Sequence, residues 1–272
     1  LSRLDTVGDT LVLAPGDRRW PAWLDLLQGL SGLLLVLFMW AHLFAVSSIL
    51  LGKPAMYRVT RFFEGSLFFD TPQPWLVSLV ALFIFVIFVL HTLLALRKLP
   101  SGYRQWRAWL VHMGGMRHEE TSLWLVQVIT GLVLMFFATA HLLELFLHPS
   151  NIGPHASAAR IASGGWVLGL VLLLSVEVHA GIGLYRLIVK WGWFGLVDTA
   201  ARRRRLRRFV YALVAFFLLL GVTTQMAYLR IGKESAVRDG LRYVPPGSAQ
   251  IVPPLSDEAP LRISQTGEEV KR

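Results

Sequence analysis

Four histidines lie inside long apolar runs of this sequence: His42, His91, His141 and His179. An imidazole in hydrocarbon must find a partner for its ring nitrogens, so each one marks an interhelical bond, a proton relay or a ligand position. Their depths narrow the choice. His42 lies seventeen residues beyond Asp25 and His141 twenty-one beyond Glu120. If the apolar runs cross a bilayer alternately, that is about 26–31 Å from one face at 1.5 Å per residue. His91 lies six residues before Arg97 and His179 seven before Arg186, about 9–10 Å from the same face. The four therefore form two pairs at two depths, and both members of a pair come from runs that cross in the same direction. Paired imidazoles on facing helices are the ligand set of a six-coordinate haem, and such ligation suits electron transfer better than oxygen chemistry. Ala41, Ala140, Ala180, Gly181 and Gly183 leave room beside the ligands for a flat macrocycle. Zinc or copper would want its ligands at one depth, with carboxylates or thiolates nearby.

Positioning these residues requires membrane-spanning helices. Hydrophobic residues are 54% of the 272-residue chain and charged residues 16%, against about a quarter charged in soluble domains. Five runs are long enough to cross the hydrocarbon, for which roughly 20 residues suffice: about Trp23–Leu51, Trp75–Leu96, Ser122–Leu147, Gly165–Val189 and Phe209–Tyr228. Trp20, Trp23, Trp75, Trp106, Trp166, Trp191 and Tyr228 cluster near their ends, as an interfacial belt does. The predicted fold is an all-α integral membrane bundle. It divides into an N-terminal segment (1–22), a five-helix domain (23–229) and a polar tail (230–272) rich in proline toward its end. From about Tyr243 onward the tail reads as an extended or disordered strap outside the membrane. No internal repeat is identified.

Basic residues orient the bundle. The N-terminal segment and the connections after the second and fourth runs hold sixteen Lys and Arg, whereas the two alternate connections hold four: Lys53, Arg58, Arg61 and Arg160. The positive-inside bias places the N-terminus in the cytoplasm and the C-terminus outside. The net charge of +10 belongs to these connections, and nucleic-acid binding is not the reading. Leu1–Arg19 is polar and does not read as a cleavable signal. The chain has no cysteine, so iron–sulfur clusters and covalent c-type haem have no attachment here. His112, His118, His148 and His155 fall at loops or helix ends and read as exposed. Glu177 lies two residues before His179, about 200° around the helix, and so faces away from that ligand. A carboxylate inside a membrane is costly and marks function by default.

Four stretches, "WAHLFAVSSILLGKPAMYRVTRFFE", "LHTLLALRKLPSGYRQW", "MRHEETSLWLVQ" and "VEVHAGIGLYRLIVKWGWF", carry a likeness. From about Trp23 to Tyr228 the chain resembles the single five-helix, dihaem cytochrome b subunit of quinol:fumarate reductases. The resemblance implies that His42 and His141 hold a distal haem and His91 and His179 a proximal one. It implies menaquinone as substrate, and an iron–sulfur subunit and an FAD flavoprotein docked on the cytoplasmic face of a bacterial inner membrane. It further implies a dimer of heterotrimers surrounded by lipid. Glu64, within "RFFEGSLFF", matches the residue that serves quinol oxidation, a reaction that releases two protons and needs an acceptor. Glu177 matches a member of a proposed proton path. Gln28, Trp124 and Lys190 match contacts of the proximal haem propionates, and Arg160 is a candidate for the distal ones. Gly29 stands where the family has Ser, which removes one such contact. Three alternatives are a succinate:menaquinone reductase, the cytochrome b anchor of another dehydrogenase, and a transporter using His and Glu as a proton relay. The last predicts no haem spectrum.

Overall fold

A computed structural model describes residues 20–115, 119–193, 199–238 and 240–246. Helix α1 (Trp20–Ser47) continues through a tight turn to Leu51 and stops at Gly52, whose φ of 104° lies where a side chain would be strained. Then follow α2 (Lys53–Phe63), α3 (Trp75–Leu96), α4 (Tyr103–Gly115), α5 (Glu119–Leu147), α6 (Pro154–Arg160), α7 (Trp166–Trp191), α8 (Ala200–Ile231) and α9 (Ser235–Arg238). Among the described residues there are helices and no strands. Among the described residues five helical stretches are long and apolar enough to cross a membrane: Trp20–Leu51, Trp75–Leu96, Thr121–Leu147, Pro154–Trp191 and Ala200–Ile231.

Helices α1, α3, α5 and α7 pack in a ring, each against the next, with α7 closing on α1. Helix α8 lies outside the ring against α7 and α1. The outward faces carry exposed Leu37, Phe83, Val86, Phe136 and Leu219, which suits lipid contact because an apolar exterior costs nothing in hydrocarbon. Small residues set the closest helix approaches: a Cβ on Gly181 of α7 would meet Val214 Cγ2 of α8 at 2.4 Å, and one on Gly221 of α8 would meet Leu173 Cδ1 at 2.5 Å. A buried Ser47–Thr224 hydroxyl pair (2.8 Å) and the Tyr228 hydroxyl donating to the Val46 carbonyl (3.3 Å) tie α1 to α8.

Two elements differ from the sequence expectation in extent. Helix α8 begins nine residues before Phe209 and includes the run Arg202–Arg208. Thr199 caps it by accepting from the Arg202 amide (3.2 Å), and arginine is a good helix former whose charged head can reach the interface. The fourth span starts at Pro154 rather than near Gly165, because α6 leads into α7 through a widened turn at Ile161–Gly165 with Gly164 at φ 110°.

Candidate functional site

The ring of four helices encloses a cavity of about 1300 Å³, larger than the roughly 300–1,000 Å³ of a single small-molecule pocket. Asp25, Gln28, Lys98, Trp124 and Lys190 line one end, Thr60, Arg160 and Tyr228 the other, and all four histidines line it between. His42 faces His141 with ring centroids 6.3 Å apart, and His91 faces His179 at 6.5 Å. Two metal–imidazole bonds of about 2.0–2.1 Å, plus roughly 1.1 Å from each nitrogen to its ring centre, separate centroids by ~6.3 Å. Both pairs are thus spaced for one metal between two rings. Among the described residues no cluster of three or more His, Cys, Asp or Glu could hold a bare ion.

The His91–His179 pair is seated by the backbone. His91 Nδ1 lies 3.2 Å from the Gln28 carbonyl and 3.2 Å from Ser31 Oγ. His179 Nδ1 lies 2.9 Å from the Gln127 carbonyl and 3.3 Å from Thr130 Oγ1. A ring N–H given to a carbonyl fixes the tautomer and leaves the Nε2 lone pair free for a ligand bond. Each ring also rests on a glycine: a Cβ on Gly32 would meet His91 Cε1 at 2.8 Å, and one on Gly131 would meet His179 Cε1 at 3.0 Å. The two seats are one motif used twice, Gln28-x-x-Ser31-Gly32 on α1 and Gln127-x-x-Thr130-Gly131 on α5. The match runs on through Ala-His-Leu at 41–43 and 140–142, with eight of sixteen residues identical between 28–43 and 127–142. This repeat was missed in reading the sequence. Its mark in the sequence is the pair of Ala-His-Leu triplets, which follow Gln28 and Gln127 at the same spacing. Among the described residues the His42 and His141 rings make no hydrogen bond; His42 stacks on Phe38 at 5.8 Å.

The remaining candidates are spread through the bundle. The Gln28 Oε1 is buried without a hydrogen-bond partner among the described residues, so its amide can turn its NH2 toward an anion in the cavity. Trp124 packs on Trp109 (4.4 Å) and Trp106 (6.5 Å). Lys190 pairs with Asp25 at 3.0 Å, as do Arg97 (2.8 Å) and Lys98 (2.9 Å). Arg160 donates to the Asn151 carbonyl at 3.1 Å. Glu177 is fully buried, takes the Trp40 indole N–H on Oε2 (3.3 Å) and has no partner on Oε1 among the described residues. Glu64 is fully buried at the end of α2 and paired with Arg61 (3.4 Å) and with Arg242. Thr60 and Phe63 of the same helix reach the cavity wall.

His155 corrects the sequence reading. It is 6% exposed rather than a solvated loop residue, because residue 241 folds back over it and the Leu241 carbonyl accepts from its Nδ1 at 2.8 Å. His148 is exposed beside Glu144 (3.4 Å). His118 and the side chain of His112 lie outside the described residues.

A family model for the succinate dehydrogenase/fumarate reductase transmembrane subunit matches residues 103–220. The chain is 46% identical over 215 residues to the fumarate reductase cytochrome b subunit of Helicobacter pylori, covering 79% of this chain and 83% of that one. It is 43% identical over 217 residues to the subunit of the same name from Wolinella succinogenes, covering 79% and 85%.

Proposed function

Because the chain belongs to the succinate dehydrogenase/fumarate reductase family of transmembrane subunits, we propose that it is the dihaem cytochrome b anchor of a menaquinol:fumarate reductase. The observation that carries this reading is the pair of facing imidazole couples, 6.3 and 6.5 Å apart, on one cavity. His91 and His179 hold the proximal b haem through Nε2, with Nδ1 given to the Gln28 and Gln127 carbonyls. His42 and His141 hold the distal one. Bound there, the haems supply one-electron transfer along the membrane normal. Gln28, Trp124 and Lys190 bind propionates at the proximal end, and Arg160 at the distal end.

Residues of this chain handle the protons. Quinol oxidation releases two electrons and two protons near the outer face, and Glu64 takes up a proton there. Glu177, with one unpartnered oxygen in the core of the bundle, moves a proton through the membrane that offsets the charge carried by the electrons. The N-terminus and the basic connections face the cytoplasm. An iron–sulfur subunit dock there with an FAD flavoprotein that reduces fumarate, and the complex assembles as a dimer of heterotrimers in the bacterial inner membrane.

The test is a reduced-minus-oxidised spectrum of the purified complex with haem counted as the pyridine haemochrome. The reading requires two b haems per chain, one lost in His42→Ala and a different one lost in His91→Ala. A chain without haem would refute it, leaving the four histidines as a proton relay.

A further inference from the structure

The segment that follows α8 is anchored at Glu234, Val237, Leu241, Arg242 and Tyr243. Lys53, at the start of α2, pairs with Glu234. Val237 of α9 is 4% exposed in a cluster with Ile49, Met56, Ala158 and Tyr228. The Leu241 carbonyl accepts from His155. Tyr243 packs edge-on against His155 (5.3 Å) and Tyr57 (6.0 Å). Between the last two anchors, Arg242 reaches the Glu64 carboxylate.

Glu64 is fully buried and Arg242 nearly so, with 11% of its side chain exposed. A buried carboxylate needs compensation, and removing one partner of such a pair is more disruptive than never having had it. Arg61 sits one turn back at 3.4 Å, a long contact for a charge-assisted bond. It also gives its other guanidinium nitrogen to the Asp70 carbonyl at 2.9 Å. Arg242 therefore supplies the main hold on the second carboxylate oxygen. It comes from a part of the chain that composition marks only as a polar tail.

We propose that residues 234–238 and 240–243 form a cap over the quinol-oxidising end of the bundle, and that Arg242 is the positioning residue for Glu64. The proposal rests on the reading of Glu64 as the acceptor of a quinol proton. The guanidinium fixes the direction in which the carboxylate presents its free lone pair, and the cap keeps bulk water from the ion pair. Quinol is the substrate class served, since it must part with two protons as its two electrons leave.

The experiment uses the intact complex with a water-soluble naphthoquinol as donor and fumarate as acceptor. Each rate is divided by the rate of the same preparation with reduced viologen, which feeds the fumarate side directly. Arg242→Gln lowers the normalised quinol kcat by ~10²-fold, the scale of a misplaced catalytic group, and leaves KM for the quinol within threefold. Arg242→Lys restores part of that loss, and ending the chain at Gly240 reproduces it. Both haems per chain remain in every variant. A normalised kcat within twofold of the parent in Arg242→Gln overturns the proposal. So does a loss confined to haem content and yield, which would make Arg242 a purely structural tether. Glu64→Gln separates the two ideas: if it oxidises quinol at the parent rate, the reading of Glu64 fails. If it is inactive while Arg242→Gln is not, only the cap fails.

Discussion

Gly32→Ala is the most direct probe of how the proposed histidine ligands are held. The new Cβ would stand 2.8 Å from His91 Cε1 and 3.3 Å from Nδ1. Reaching the ~3.4 Å of ordinary carbon contact demands a retreat of about 0.6 Å. The acceptor of the His91 N–H, the Gln28 carbonyl, lies on the same helix one turn back, so the retreat also opens that bond. At 3.2 Å it is already at the long end, and about 0.6 Å more breaks it. Gly131→Ala demands only about 0.4 Å, from a contact of 3.0 Å, and its partner bond starts at 2.9 Å, so that bond is stretched and kept. Losing a ligand's outer hydrogen bond typically costs 10–100-fold in affinity, or about 1.4–2.7 kcal/mol. Gly32→Ala is therefore expected to release the His91–His179 haem 10–100-fold faster to excess apomyoglobin, and Gly131→Ala less than tenfold. The His42–His141 pair is the internal control: His42 lies ten residues along α1, about 15 Å away, far enough for effects to be independent. A redox titration resolving both haems reads the outcome. Unchanged release and potential in Gly32→Ala, or equal loss of both haems, would refute the reasoning.

Glu177→Gln keeps the Trp40 bond, since an amide oxygen accepts from the indole as a carboxylate does. It should retain two haems and the viologen-linked rate, yet slow quinol-linked fumarate reduction by at least ~10²-fold, the usual scale for a lost proton carrier. Comparing the two donors on one preparation checks this. Gly181→Ala drives a Cβ to 2.4 Å from Val214 Cγ2 and is expected to destabilise the complex by about 1–3 kcal/mol through overpacking. Val214→Ala in the same chain removes the colliding methyl and should recover most of that in thermal unfolding followed by loss of the Soret band. Ser47→Ala leaves the buried Thr224 hydroxyl without its 2.8 Å partner and should cost about 1 kcal/mol in the same assay with an unaltered spectrum.

The spans were legible because apolar length alone specifies them, and the histidine layers because helix rise turns spacing into depth. Helices α2, α4 and α6 were not, since 11, 13 and 7 residues at the polar ends of a bundle leave no apolar run to detect. The start of α8 was hidden by its arginines, which read as a loop by charge although they are good helix formers. His155 and Glu64 were placed by their local surroundings, whereas their burial comes from Leu241 and Arg242, 86 and 178 residues away. Contacts of that range leave no trace in composition.

The repeated motif on α1 and α5 explains how four helices can build two layers of facing histidines with so few specified residues. Each of these helices carries a seat for the histidine of a neighbour and, ten residues further on, a histidine of its own. The rise between Gly32 and His42, or between Gly131 and His141, is about 15 Å, so helix pitch itself sets the spacing of the layers. Helices α3 and α7 need supply only His91 and His179, whose rings are aimed by the carbonyls they meet. The two layers differ in consequence. One pair is oriented by the protein through Nδ1, as a preorganised site requires. The His42 and His141 rings make no hydrogen bond among the described residues, so a haem held there as proposed would orient them itself, in the layer nearer the end of the bundle where Arg242 meets Glu64.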